Sequence, residues 1–87
     1  MKVLITGGCG FVGSNLAISI KKNFLNSDVI CFDNLSRRGS ELNLNKILSY
    51  GIKFIHGDVR IKTDFDKIPK VDLVIDAAAE PSVLSGK

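Results

Sequence analysis

The chain has no tryptophan, one tyrosine, one histidine, two prolines and two cysteines among 87 residues. Each scarcity removes a class of protein. Cys9 and Cys31 have no CxxC spacing, and the lone His56 has no cysteine or histidine cluster around it. That argues against a structural zinc site and against a disulfide scaffold. No apolar stretch reaches membrane-spanning length, so no membrane partner is expected. The opening run Met1-Lys2-Val3-Leu4-Ile5-Thr6 is too short for a signal-peptide core and lacks a small-residue cleavage site. A cytoplasmic protein with reduced thiols is the expectation. The formal net charge is only +3, and Lys21-Lys22 and Arg37-Arg38 are isolated pairs without interleaved aromatics. Nucleic acid is therefore not an expected partner.

What is present is apolar sequence with changing period. Hydrophobic residues make up 45% of the chain, enough for a core and too many for a disordered tail. A fold this small buries only about 60% of its unfolded surface, so stability in isolation is expected to be low. Val3 to Thr6 is a β-branched run ending at Gly7-Gly8, which reads as a buried strand. From Phe11 the stride becomes helical. Val12, Leu16, Ile20 and Phe24, with Ala17 beside them, predict an amphipathic helix over Phe11 to Phe24. Asn26-Ser27-Asp28 reads as a turn and Val29 to Phe32 as a second strand, closed by Asp33. Leu42, Leu44, Ile47 and Leu48 suggest a second helix, with Ser40 as a candidate cap and Gly51 as its end. Lys53 to His56 is a third strand. A short segment from Ile61 to Ile68 has room for one or two helical turns. Val71 to Ala79 reads as a fourth strand, and Glu80-Pro81-Ser82 as the start of a helix.

This βαβαβαβ succession predicts an α/β fold with a parallel sheet. Right-handed crossovers give the strand order 3-2-1-4. The two helices cover one face, and only the Ile61–Ile68 segment is available for the other. The pattern stops where a further crossover belongs. The expectation is therefore half an architecture, residues 1–87 being the N-terminal part of a larger domain. Its bare sheet face and exposed strand-four edge would favour self-association or contact with the remainder.

The turn after the first strand is Thr6-Gly7-Gly8-Cys9-Gly10-Phe11-Val12-Gly13. Gly8, Gly10 and Gly13 satisfy GxGxxG, while Gly7, Gly10 and Gly13 satisfy the wider GxxGxxG. Either reading allows a tight turn, close approach of backbone to a pyrophosphate at Gly10, and close packing of helix on strand at Gly13. The helix N-terminus, with the N–H groups of Phe11, Val12 and Gly13, would face the phosphates. The alternative is a purely structural strand–helix turn. A P-loop is excluded because Gly13 is followed by Ser14-Asn15 rather than Lys-Ser/Thr. Asp33 stands at the interval expected for the ribose-binding carboxylate of a dinucleotide site. A carboxylate there accepts ribose hydroxyls and repels a 2′-phosphate, which favours NAD over NADP. Asp33 could instead only begin a turn with Asn34. Arg37 and Arg38 on the following loop could pair with a 2′-phosphate or simply face water.

With these motifs placed, the run Val3 to Ser14 resembles the extended short-chain dehydrogenase/reductase family, the NAD-dependent nucleotide-sugar epimerases and dehydratases. Asp33-Asn34-Leu35-Ser36 is similar to that family's ribose-binding turn, Gly57-Asp58-Val59-Arg60 to its adenine-binding motif, and Ala77-Ala78-Ala79 to its small-residue strand end. The resemblance implies a partial Rossmann fold with NAD bound by Gly7, Gly10, Phe11, Val12, Gly13, Asp33, Asn34, Ser36, Arg37, Asp58, Val59, Ala77, Ala78 and Ala79. Asp58 would accept from the adenine amine, the Val59 N–H would reach a ring nitrogen, and the alanines would lie against the nicotinamide ribose and pyrophosphate. Asp58 could instead cap a turn, and the alanines could serve close packing alone. Asp76 departs from the family, many members of which carry His there. Cys9 and Cys31 are expected to be apolar fillers, and His56 a packed or partly exposed strand residue.

The resemblance also implies a nucleotide-sugar substrate in the parent protein and a catalytic Tyr-x-x-x-Lys pair. The one tyrosine, Tyr50, is followed four residues on by Phe54. No residue here is assigned to catalysis, and Ser82 and Ser85 are as readily helix caps as substrate-proximal groups. The chain alone is expected to be inactive. A non-catalytic dinucleotide-binding or redox-sensing module is the alternative from a different class.

Overall fold

The computed structural model describes residues 1–58 and 60–77. The element order is β1 (Lys2–Thr6), α1 (Phe11–Asn23), β2 (Asp28–Asp33), α2 (Ser40–Ser49), β3 (Lys53–His56), a 3-10 helix (Lys62–Lys67) and β4 (Leu73–Asp76). All four strands are parallel, in the order β3-β2-β1-β4 expected from the alternating pattern. The register aligns their carboxyl ends: Thr6 pairs with Phe32 and with Asp76, and Asp33 pairs with His56. In such sheets the crevice beyond these ends is where ligands sit. β4 is shorter than the Val71–Ala79 expectation. Asp72 lies just before it, where its N–H donates to the Lys2 carbonyl and its carboxylate accepts from the Lys2 N–H. Ala78, Ala79 and the expected helix start at Glu80-Pro81-Ser82 lie outside the described residues, as does Val59.

Alternation along the central strands divides the core. Val3, Ile5, Val29 and Cys31 point to the face covered by α1 and α2, where Ala17, Ile18 and Ile47 meet them. Leu4, Ile30 and Phe32 point the other way. That second face is not bare, contrary to expectation: all three are buried, and Ile55, Ile68 and Val71 pack on them. The segment between β3 and β4 thus shields the middle of the sheet despite its length. Exposed apolar surface remains on β4, where Leu73 is 43% and Val74 56% exposed.

Both helices turn differently from their hydrophobic stripes. In α1 the buried residues are Gly13, Ser14, Ala17 and Ile18, with Leu16 and Ile20 at the margin. Val12 and Phe24, expected inside, are 64% and 62% exposed. The small residues set the rotation, because only they let the helix axis approach the loop below it. α2 buries Ser40 and Ile47 but leaves Leu42 and Leu48 exposed. Ser40 is not its cap. Gly39, at φ 84°, occupies the capping position, and the Ser40 hydroxyl is buried inside the first turn without a hydrogen-bond partner. Gly51, at φ 78°, ends α2 in the left-handed region as the sequence suggested. Among the described residues no helix is long and apolar enough to cross a membrane.

Candidate dinucleotide-binding site

The loop between β1 and α1 is anchored from below by the end of β2. The Gly7 and Gly8 N–H groups both donate to the Phe32 carbonyl, at 2.8 and 3.3 Å, and the Gly10 N–H returns to the Gly7 carbonyl at 3.0 Å. Gly7 has φ 69°, a conformation that costs a side chain. A Cβ on Gly13 would overlap the Gly7 carbonyl oxygen and lie 2.9 Å from its carbon. The wider reading, Gly7-Gly10-Gly13, therefore describes the turn. Gly8 has a separate structural duty, since a Cβ there would run into the Cys31 side chain. α1 starts directly from this loop. Its first bond of helical spacing runs from the Ser14 N–H to the Gly10 carbonyl at 2.9 Å. Gly10 supplies no side-chain cap, and the first turn carries no acidic residue. The N–H groups of Phe11, Val12 and Gly13 thus stand at an uncapped, positively polarised helix end.

Asp33 reaches this loop. Its Oδ2 accepts the Cys9 N–H at 2.9 Å and its Oδ1 accepts the Leu35 N–H at 2.7 Å. Asp33 therefore begins a turn and also stands beside the glycine loop. An ionised carboxylate has about four acceptor positions, so two remain for ribose hydroxyls. Beyond it, the Asn34 side-chain oxygen accepts the Ser36 N–H at 3.1 Å, and Leu35 takes φ 58° while packing on the first core cluster. Arg37, Arg38, Gly39, Leu42 and Asn43 border an open groove of about 570 Å³ with Gly10 and Phe11. Asn43 was not anticipated. Its amide donates to the Cys9 carbonyl at 2.8 Å and ties α2 to the glycine loop across 34 residues of sequence. Nothing local marks a polar residue on a helix as such a strap.

Past β3, the Gly57 N–H donates to the Asp33 carbonyl at 3.0 Å, which sets Asp58 beside the ribose turn. Gly57 must lack a side chain because a Cβ would sit 2.5 Å from the buried Phe32 ring. Asp58 faces Arg60 in a two-point ion pair, with Nε to Oδ1 at 3.0 Å and Nη2 to Oδ2 at 2.7 Å. The Arg60 backbone N–H adds a third bond to Oδ1 at 2.9 Å, and the Asn34 amide approaches Oδ2 at 3.4 Å. The Arg60 guanidinium holds the Asp58 carboxyl well below the usual carboxylate range. On the other side of the sheet order, the Ala77 N–H bonds the Thr6 carbonyl at 2.9 Å. Asp76 accepts the Thr6 hydroxyl at 2.8 Å, so at this position it orients the end of β1. The described residues of the expected site thus lie along one edge, from Asp58 past Asp33 and the glycine loop to Ala77. Val59, Ala78 and Ala79 are outside the described residues.

Cys9 and Cys31 are both fully buried. Burial pushes each thiol up to about 12, with the Asp33 charge adding to it. These thiols are poor nucleophiles at neutral pH, as fillers should be. Because the unfolded thiols ionise near pH 8.5 and the folded ones near 12, the folded state holds protons that the unfolded state has released between those values. Stability from this source is complete below about pH 8.5 and falls as pH rises toward 12. Melting temperature should therefore drop from pH 8.5 to 10.5, and the drop should shrink in the Cys9→Ala and Cys31→Ala variants. An unchanged slope in both would contradict the assignment.

The sequence matches the model of the NAD dependent epimerase/dehydratase family over residues 3–86. The chain belongs to this family. It is 51% identical to CDP-paratose 2-epimerase of Salmonella typhi over 69 residues, which is 78% of this chain and 20% of that protein. It is 41% identical to dTDP-D-glucose 4,6-dehydratase of Dictyostelium discoideum over 83 residues, covering 90% of the chain and 19% of the relative. The chain thus spans about a fifth of the length of these relatives. Its fold superimposes on UDP-glucose 4-epimerase from Bifidobacterium longum in complex with NAD+ and UDP, with a TM-score of 0.78 at 29% identity. That match covers 92% of this chain and 25% of the other. The dTDP-glucose 4,6-dehydratase of Bacillus anthracis in complex with NAD gives 0.76 at 27% identity, over 95% and 28% of the two chains. The fold is therefore the Rossmann arrangement of these enzymes.

Proposed function

We propose that this chain is the NAD-binding N-terminal portion of a nucleotide-sugar epimerase. The observation that carries the reading is the convergence at one sheet edge of the uncapped α1 N-terminus, the side-chain-free approach at Gly7, Gly10 and Gly13, and the Asp33 carboxylate. These residues fit a dinucleotide. The first-turn N–H groups hold its pyrophosphate. Asp33 accepts the adenine-ribose hydroxyls, and Asp58 lies one strand further out, where adenine would extend. Ala77 borders the opposite side, toward the nicotinamide end. When bound, the nicotinamide takes up and returns a hydride.

The finer reading follows the 51% identity to a CDP-paratose 2-epimerase. The intact protein would act on a nucleotide-linked sugar, with transient oxidation at C2 of CDP-paratose as the specific candidate, in the cytoplasm. The exposed β4 residues Leu73 and Val74 support contact between that edge and a further part of the protein or a second copy. No residue of these 87 is assigned to catalysis, since Tyr50 lacks a lysine four residues on.

Calorimetry on the intact protein with NAD and NADP tests the binding reading, and turnover of CDP-paratose tests the finer one. NAD should bind in preference to NADP. Absence of binding by either dinucleotide would refute the reading, while NAD binding without epimerisation of any sugar nucleotide would leave a non-catalytic module.

A further inference from the structure

Two side chains from distant parts of the chain close on one residue of the glycine loop. The Cys9 N–H donates to Asp33 Oδ2 at 2.9 Å, at the end of β2, and the Cys9 carbonyl accepts the Asn43 amide at 2.8 Å, from α2. The next backbone groups are held within the loop itself. The Gly10 N–H donates to the Gly7 carbonyl at 3.0 Å, and the Gly10 carbonyl accepts the Ser14 N–H at 2.9 Å. The N–H groups of the first α1 turn follow directly. Gly10 has no side chain to restrict it, so the Cys9–Gly10 peptide plane turns easily unless it is held from both sides. Gly7 holds its N–H side and Asn43 its carbonyl side. Asn43 is itself anchored. It stands one turn before Ile47, on the same face of α2, and Ile47 is fully buried in the same cluster as the Cys9 side chain. The core thus fixes α2, and Asn43 passes that position on to the loop.

We propose that Asn43 is a positioning residue for ligand binding: through the Cys9 carbonyl it holds the Cys9–Gly10 peptide plane, and so the start of α1, in the ligand-ready arrangement before any dinucleotide arrives. The ligand named here rests on the dinucleotide reading above, whereas the hold on the loop does not. A loop ordered in advance does not have to be ordered at the cost of binding. What matters is the donor rather than the volume of the side chain, because the partner is a carbonyl oxygen. The effect also differs in kind from that of Asp33. The loop and the first turn of α1 serve the pyrophosphate, which NAD and NADP share, so loosening them weakens both dinucleotides alike.

Amide exchange and calorimetry on the intact protein test this together. In Asn43→Ala the Gly10 N–H should exchange faster than in the unsubstituted protein with no dinucleotide present. Affinity for NAD and for NADP should fall by the same factor, roughly three- to tenfold, the worth of one neutral hydrogen bond. Asn43→Asp keeps the shape but, once ionised, cannot donate, and should lose at least as much. Asn43→Gln keeps the donor on a longer arm and should recover part of the affinity. Asn45→Ala, exposed on the same helix, should match the unsubstituted protein in both measurements. Melts of each variant set a working temperature well below unfolding. Unchanged exchange at Gly10, a loss confined to one dinucleotide, or Asn43→Gln performing no better than Asn43→Asp would overturn the proposal. If the unsubstituted protein binds neither dinucleotide, the dinucleotide reading fails, and exchange at Gly10 still decides whether Asn43 holds the loop.

Discussion

Replacing Gly13 by alanine should both destabilise the protein and abolish tight NAD binding. The added methyl has nowhere to go. It would overlap the Gly7 carbonyl oxygen and crowd Gly8 Cα at 3.0 Å, and these are backbone atoms that cannot rotate aside. Either α1 moves away from β1 or the loop unfolds locally. Overpacking of this kind costs about 1–3 kcal/mol. The functional cost comes on top, because a displaced α1 takes its first-turn N–H groups away from the place proposed for the pyrophosphate. Losing two such bonds lowers affinity by roughly 10- to 100-fold. Gly51→Ala is the matching control. Gly51 also has a constrained backbone, at φ 78°, but a Cβ there would meet nothing within 4 Å. It lies at the far end of α2, so the variant should lose about 1–2 kcal/mol from left-handed strain and keep its NAD affinity. Thermal melts and calorimetry on both variants separate packing from binding. Wild-type NAD affinity in Gly13→Ala would refute the role given to the close approach.

The second large effect is expected at Asp33. Asp33→Ala removes the acceptor proposed for the ribose and leaves the buried Cys9 N–H without its 2.9 Å partner. A hydrogen bond to a charged group is worth about 1.5–3 kcal/mol, so NAD affinity should fall by roughly 10- to 100-fold. The comparison with NADP makes the prediction specific. The carboxylate repels a 2′-phosphate, and its loss removes that repulsion while Arg37 and Arg38 still border the adjoining groove. The preference for NAD over NADP should therefore narrow or invert. In Asp33→Asn, which keeps an acceptor for one backbone N–H, stability should recover more than NAD affinity does. An unchanged NAD to NADP ratio in both variants would mean that Asp33 serves the turn at Leu35 alone.

The two sites differ in how visible they were. Gly13 is legible because glycines at a fixed spacing, set between an apolar run and a helical stride, mark a turn where backbone must come close to backbone. Asp33 is legible as a residue but not as a contact: its bond to Cys9 closes 24 residues of chain and depends on the β1–β2 pairing. Asn43 and the Asp58–Arg60 pair were less visible still. Asparagine at position 43 breaks no rule of a helix, and its partner is the carbonyl of Cys9, an atom that every residue type carries.

Local sequence by itself determined the element types and the parallel order β3-β2-β1-β4. Those follow from short-range sterics and hydrophobic period, and from the fixed hand of the crossovers. Tertiary structure alone decided how α1 is rotated, since its closest face is the small-residue one at Gly13, Ser14 and Ala17 rather than the more hydrophobic stride through Val12 and Phe24. It also decided that Gly39 rather than Ser40 precedes α2, and that the 3-10 segment shields the second sheet face while bracing Asp58. The physical reason is common to all three. Distance of approach between elements, and bonds to anonymous backbone atoms, depend on residues far apart in the chain, and no periodicity within one element encodes them.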